Sequence, residues 1–120
     1  MKKGNKKYIL RFNAHNPESV GSFRALRVGT KKVETRAATA KYKRIVAGDT
    51  LVFVAGKDRF EKNVCGASLF RSIDAMLKVY RVGDIMPGRR TKKELAAAYY
   101  SYSGYKEKIK KFGLVAWEVK

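Results

Sequence analysis

Gly29-Thr30-Lys31-Lys32-Val33-Glu34-Thr35-Arg36 is the stretch on which the rest of the chain is arranged. A glycine ends one element and an extended run begins. Strand side chains alternate with period two, so Glu34 and Arg36 are expected on one face, with Lys31 at the strand's mouth. A carboxylate, a guanidinium and an ammonium are thereby set to converge. The 120 residues hold 28 Lys and Arg against 10 Asp and Glu, a formal net charge of +18. An acid placed among cations in such a chain marks a candidate polar binding or catalytic cluster.

On the N-terminal side, Asn16-Pro17-Glu18 is a helix start, with Asn as N-cap, Pro in the first turn and an acid near the positive helix end. Val20, Phe23 and Leu26 form one apolar stripe, and Gly29 stands where a helix ends. Residues 8–12 (YILRF) read as a first strand. Residues 1–7 are expected to be a flexible basic arm, leaving one domain over residues 8–120.

On the C-terminal side, the strand through Arg36 leads into a basic connection, residues 38–47, expected to be exposed. Gly48-Asp49 is a turn before an apolar strand at residues 50–55. After a second turn at Gly56-Lys57-Asp58, residues 60–69 form another strand with a break near Gly66. Ser72 caps a helix carrying Ile73, Met76, Leu77 and Tyr80 at helical spacing. Pro87-Gly88 closes the following loop. Thr91 and Glu94 form a capping box, opening a helix with Leu95, Ala98, Tyr99 and Tyr102 on one face. Gly104 stops it. A further basic helical stretch turns Tyr105, Ile109 and Phe112 inward, and residues 114–119 are a last strand too apolar for an edge. This order predicts an α+β fold: a small, mixed but mostly antiparallel β-barrel with helices at its rim.

A domain of this length buries roughly 65% of its unfolded surface, and 45% hydrophobic content excludes a disordered chain. No apolar run approaches the ~18 residues of a membrane span, and the basic N-terminus lacks the apolar stretch of a signal peptide. With one cysteine, Cys65, and one histidine, His15, no internal disulfide, metal site or cofactor is expected. Cys65 reads as a small buried hydrophobe. An intracellular, cytoplasmic monomer is the expectation, or a nuclear one in a eukaryote.

The basic residues cluster: Lys2, Lys3, Lys6, Lys7 and Arg11; Arg24, Arg27, Lys31, Lys32 and Arg36; Lys41, Lys43 and Arg44; Arg89, Arg90, Lys92 and Lys93; Lys106, Lys108, Lys110 and Lys111. Such a field attracts polyanions, RNA or other nucleic acid first. No basic helix with a broad apolar face points to a membrane.

The pattern Gly29-x-Lys31-x-x-Glu34-x-Arg36 resembles the signature of the ASCH domain (activating signal cointegrator homology), a relative of the PUA domain. The order of Gly48-Asp49, Ser68-Leu69-Phe70, Pro87-Gly88, the capping box, the tyrosine-bearing helix and Gly113-Leu114-Val115-Ala116-Trp117 agrees with it, from Tyr8 to Val119. The resemblance implies a PUA-like barrel with a cleft beside the signature strand, and RNA binding. It also implies an enzymatic alternative: some members are nucleases, and one bacterial branch hydrolyses the amide of N4-acetylcytidine with a lysine, a threonine and a glutamate. Lys31 matches that lysine. Glu34 stands at the threonine's position, and Thr35 is expected on the opposite strand face.

The candidate ligand-binding residues are therefore Lys31, Lys32, Glu34, Arg36, Tyr100, Arg89 and Arg90, for a nucleic acid, nucleotide or nucleoside. Arg36 offers forked donors for a phosphate or base edge, and Glu34 an acceptor for an exocyclic amine. Lys31 and Glu34 are the candidates if the protein is a catalyst, since a crowded lysine has a lowered pKa. Tyr100, off the inward helix face, is placed to stack on a base. Asp49 reads as a turn residue, His15 as a loop residue, and Tyr99, Tyr102 and Trp117 as core. Ser68 has no nucleophile-elbow context.

Overall fold

The Asn16 side chain accepts from Glu18 N and Ser19 N, Pro17 takes the first helical position, and Gly29 ends the helix at φ 90°, as read from the sequence. That helix, α1 (Pro17–Val28), joins strand β1 (Lys7–Phe12) to strand β2 (Val33–Ala37), the signature strand. The computed structural model describes residues 4–120. It continues with α2 (Ala40–Lys43), β3 (Thr50–Ala55), β4 (Asp58–Phe70), α3 (Ile73–Met76), α4 (Val82–Ile85), α5 (Lys92–Tyr100), α6 (Tyr105–Phe112) and β5 (Leu114–Val119).

The strands form one curled sheet in the order β1-β3-β4-β5-β2. Only β1–β3 is parallel; β3–β4, β4–β5 and β5–β2 are antiparallel, with a register shift between Val64 and Gly66, where the sequence shows its break. The sheet is a half-barrel with two free edges, β1 and β2, and α1 connects those edges.

The final strand explains the layering. Val115, Trp117 and Val119 face a core inside the curl with Leu10, Phe23, Leu26, Phe53 and Ile45. Leu114 and Ala116 face a second core with Val33, Ile73, Met76, Ile85, Leu95, Tyr99 and Ile109. A strand buried on both faces reads as a continuous apolar run, which is why β5 has no polar alternation before Glu118. Trp117 also donates its indole N–H to the Ile45 carbonyl at 3.2 Å.

Several expectations are corrected. Residues 4–7 are held against the fold. Gly4 N donates to Ala47 O at 2.9 Å, Lys6 N to Asp49 Oδ1 at 3.0 Å, and Lys7 opens β1; residues 1–3 lie outside the described residues. Asp49 is a turn residue as read, and its second oxygen accepts from Val46 N at 2.9 Å. The 38–47 connection is not wholly exposed: it contains α2 and buries Ala38 and Ile45 against the inner core. The helix after Ser72 stops at Met76, and a separate turn, α4, follows, closed by Asp84 accepting from Arg81 N. Phe112 is 43% exposed, because Gly113 turns the chain immediately after it. Cys65 is exposed, since it falls on the outward side of β4, whose inward residues are Phe60, Lys62, Val64, Gly66, Ser68 and Phe70.

Gly113 links α6 to β5 at φ 74°, and a Cβ there would stand 2.3 Å from the Phe70 carbonyl oxygen. Gly113→Ala should therefore cost about 2–3 kcal/mol through backbone strain. Gly21→Ala, mid-helix with nothing within 4 Å, should stabilise by about 0.5–1 kcal/mol. Urea unfolding of the two variants measures both.

Candidate functional site

Alternation along β2 divides its side chains as the sequence predicts. Val33 belongs to the helical core, and Thr35 Oγ1 meets the Tyr99 hydroxyl on that side. Glu34 and Arg36 take the other face, opposite Trp117 and Val115 in the β5 register. They project into an interior that apolar side chains otherwise fill, so their charges must be met locally.

Glu34 meets them. It is 4% exposed. Its Oε1 lies 3.4 Å from Lys31 Nζ and its Oε2 3.3 Å from Arg36 Nε. Lys31 is fully buried and also donates to the Ile85 carbonyl at the end of α4. Arg36 reaches across the open seam. Its Nη2 donates to Arg11 O of β1 at 3.3 Å and its Nη1 to the Tyr42 hydroxyl at 3.4 Å. Its guanidinium lies 4.9 Å from the Phe12 ring centroid and 5.5 Å from that of Tyr42. One guanidinium thus joins the two free edges of the sheet.

Burial pulls the Lys31 pKa below its ordinary value, and Glu34 only partly opposes this. Burial acts the same way on Arg36 and is the largest single influence, but Glu34 together with Tyr42 and Tyr105 outweighs it and holds the guanidinium above its ordinary value.

These residues border a cavity of about 230 Å³. It opens in the seam between β1 and β2. Its walls come from the end of β1 (Phe12), from α1 (Ser19, Ser22), from β2, and from the tyrosines Tyr99, Tyr102 and Tyr105. Tyr105 accepts from Ala37 N at 2.8 Å, leaving its own proton free to donate. Ser19 and Tyr102 face each other at 3.4 Å. Burial raises the pKa of all three phenols, so they stay neutral donors at physiological pH. Arg36 has five N–H donors and three are engaged as above, so two remain.

The structure brings Lys31, Glu34 and Arg36 together and does not bring the other candidates to them. Lys32 is exposed, on the alternate side of the strand start. Tyr100 is 43% exposed with Lys106 over its ring, outside the cavity. Arg89 pairs with Glu18 on the first turn of α1, and Arg90 is exposed. Thr35 does line the cavity, with its hydroxyl tied to Tyr99. Ser19, Ser22, Tyr102 and Tyr105 were not singled out as ligand contacts. Helical spacing marks Tyr102 as inward without showing whether the interior there is filled or hollow. The signal was on α1, where small polar Ser19 and Ser22 share the inward side with Phe23 and Leu26. His15 is a loop residue. Among the described residues, no group of three or more His, Cys, Asp or Glu is placed to hold a metal ion, and no helix is long and apolar enough to cross a membrane.

The fold class is a small α+β half-barrel with helices at its rim, and comparison with solved structures agrees. The chain is similar to the crystal structure of hypothetical protein PH0355, at 25% identity and a TM-score of 0.71, over 96% of this chain and 97% of that one. It is also similar to the solution NMR structure of protein PF0455 from Pyrococcus furiosus, at 25% identity and a TM-score of 0.68, over 94% and 96%. No protein-family model matches the chain, and no curated protein matches it.

Removing one partner from a buried ion group strands the others, at about 3–5 kcal/mol. Glu34→Gln should cost that much in urea unfolding, because both cations lose their counter-charge. Lys31→Met should cost less, since Glu34 keeps Arg36. The lowered Lys31 pKa has a pH signature. Below its ordinary value of 10.5 the unfolded chain holds more protons at this site than the folded one. The site's contribution to stability is therefore full above 10.5 and lost as pH falls through the folded value. The stability difference between wild type and Lys31→Met, followed from neutral to alkaline pH, should shift in favour of wild type as pH rises.

Proposed function

We propose that the protein is an RNA-binding module of the ASCH type, in which the seam cavity takes one base and the basic surface holds the backbone around it. The observation that carries this reading is the cavity's chemistry. A buried carboxylate that can accept from an exocyclic amine stands beside a guanidinium with two free donors, among neutral tyrosines with flat apolar faces. Those are the groups that read and stack an unpaired base. At about 230 Å³ the cavity is below the roughly 300–1,000 Å³ of drug-sized sites, a scale that suits a base or nucleoside. The net charge of +18 supplies non-specific attraction, and the cavity supplies selection.

A second reading rests on Lys31, whose lowered pKa favours the neutral amine that a general base requires. It would make the protein a hydrolase of a modified nucleoside, or a ribonuclease. Two contacts weigh against it: Lys31 Nζ is held by Glu34 and the Ile85 carbonyl, and the Thr35 hydroxyl is tied to Tyr99.

Binding of labelled single-stranded RNA, followed by fluorescence anisotropy, tests the first reading. With six or so phosphates contacted, affinity should fall about 10³-fold between roughly 50 and 200 mM salt. Ser22→Trp, which fills the cavity from a half-exposed position on α1, should weaken binding about tenfold or more with little change in melting temperature. Equal binding by wild type and Ser22→Trp would remove the cavity from the account. Turnover of N4-acetylcytidine or RNA that is lost in Lys31→Met would establish the second reading instead.

A further inference from the structure

A second concavity, of about 340 Å³, lies between β1 and α2 and shares Arg11 with the cavity. Its walls carry Lys7, Arg11, Lys41 and Arg44 with Tyr8 and Tyr42, and none of its lining residues is acidic. Its cations are held in place. The Arg44 guanidinium sits 5.0 Å from the Tyr8 ring centroid, and its Nε donates to Lys41 O at 3.1 Å. Arg44 is exposed, and its two terminal amino groups have no hydrogen-bond partner among the described residues, which leaves the fork available to a phosphate. Lys41 lies 5.4 Å from the Tyr42 ring centroid. Lys7 is shared with Glu61 at 3.2 Å. Arg36 joins the two concavities, since it donates to the Arg11 carbonyl on one groove wall and to the Tyr42 hydroxyl on the other.

We infer that this groove is the track of a single-stranded polynucleotide, with Arg44, Lys41 and Arg11 on successive phosphates and Arg36 marking where the strand turns one base into the cavity. The inference rests on the proposed base-binding role of the cavity and adds the path of the strand and the residues that hold its phosphates. The cavity is recessed behind the sheet edges, so a base stacked and paired in a duplex cannot enter it without leaving its helix. An acidic peptide would satisfy the groove's cations but has no group for the cavity.

The test compares two charge-reversal pairs on the full chain: Lys41→Glu with Arg44→Glu in the groove, and Lys108→Glu with Lys110→Glu on the exposed side of α6. Each is titrated with a labelled single-stranded oligouridine of about eight nucleotides, within the roughly 4–16-nucleotide span of single-strand sites. The same titrations are run with a duplex RNA of equal length and with uridine monophosphate. The groove pair should weaken oligouridine binding about tenfold or more beyond the α6 pair, and lower the salt slope by about 1.4, two contacts at roughly 0.7 each. Uridine monophosphate binding should not change, and the duplex should bind more weakly than the single strand. A groove pair no worse than the α6 pair, or a duplex binding as tightly as the single strand, overturns the track while base binding in the cavity stands. Wild type that binds neither oligouridine nor uridine monophosphate overturns the cavity's role and the track with it. Competition by polyglutamate as effective as unlabelled oligouridine overturns the track in favour of charge alone.

Discussion

Glu34 is the constraint on which the site depends. It is a carboxylate inside a half-barrel, and it is tolerated there because a lysine and an arginine meet its two oxygens. Each of those cations has a second task. Lys31 ties β2 to α4 through the Ile85 carbonyl, and Arg36 ties β2 to β1 and α2 through Arg11 and Tyr42. One buried acid therefore organises contacts among four elements. Buried ion groups are poor sources of stability compared with apolar packing of the same volume.

The topology explains why the ion group lies at the seam. A sheet in the order β1-β3-β4-β5-β2 leaves β1 and β2 as its two edges. Curling brings those edges toward each other without pairing them, and α1 spans the distance. Free edges usually require cover. Here the cover is partial: helix α1 on one side, the tyrosines of α5 and the following turn on the other, and a guanidinium between. The space left over is the cavity. The basic groove begins where the Arg36 guanidinium leaves it, so the interior site and the charged surface are adjacent parts of one seam.

Local features were legible in the sequence because their causes are local. Asn16, Pro17 and Gly29 bound α1, the Thr91–Glu94 box opens α5, and the alternation of Val33, Glu34, Thr35 and Arg36 assigned the faces of β2. The doubly buried β5 was visible as an apolar run. The misses have non-local causes. Whether Tyr102 packs against atoms or against space depends on how far α5 and α1 stand apart across the seam. Ile45 lies in a basic stretch that reads as solvent-exposed, yet its carbonyl is needed by Trp117, 72 positions away. Lys32 and Tyr100 shared the composition of the site without sharing its face. Cys65 was read from its residue type, and the alternation of β4 put it on the outer face.

If the seam cavity takes a base as proposed, Arg36 and the tyrosines of the seam meet it. Nuclear magnetic resonance reads this most directly, through the Arg36 Nε–Hε signal and the ring protons of Tyr99, Tyr102 and Tyr105 during titration with nucleoside monophosphates. With a base in the cavity, these signals should shift together and saturably, with one nucleobase preferred over the others. Shifts confined to exposed lysine-rich surfaces, growing without saturation while the Arg36 and tyrosine signals stay fixed, would contradict it.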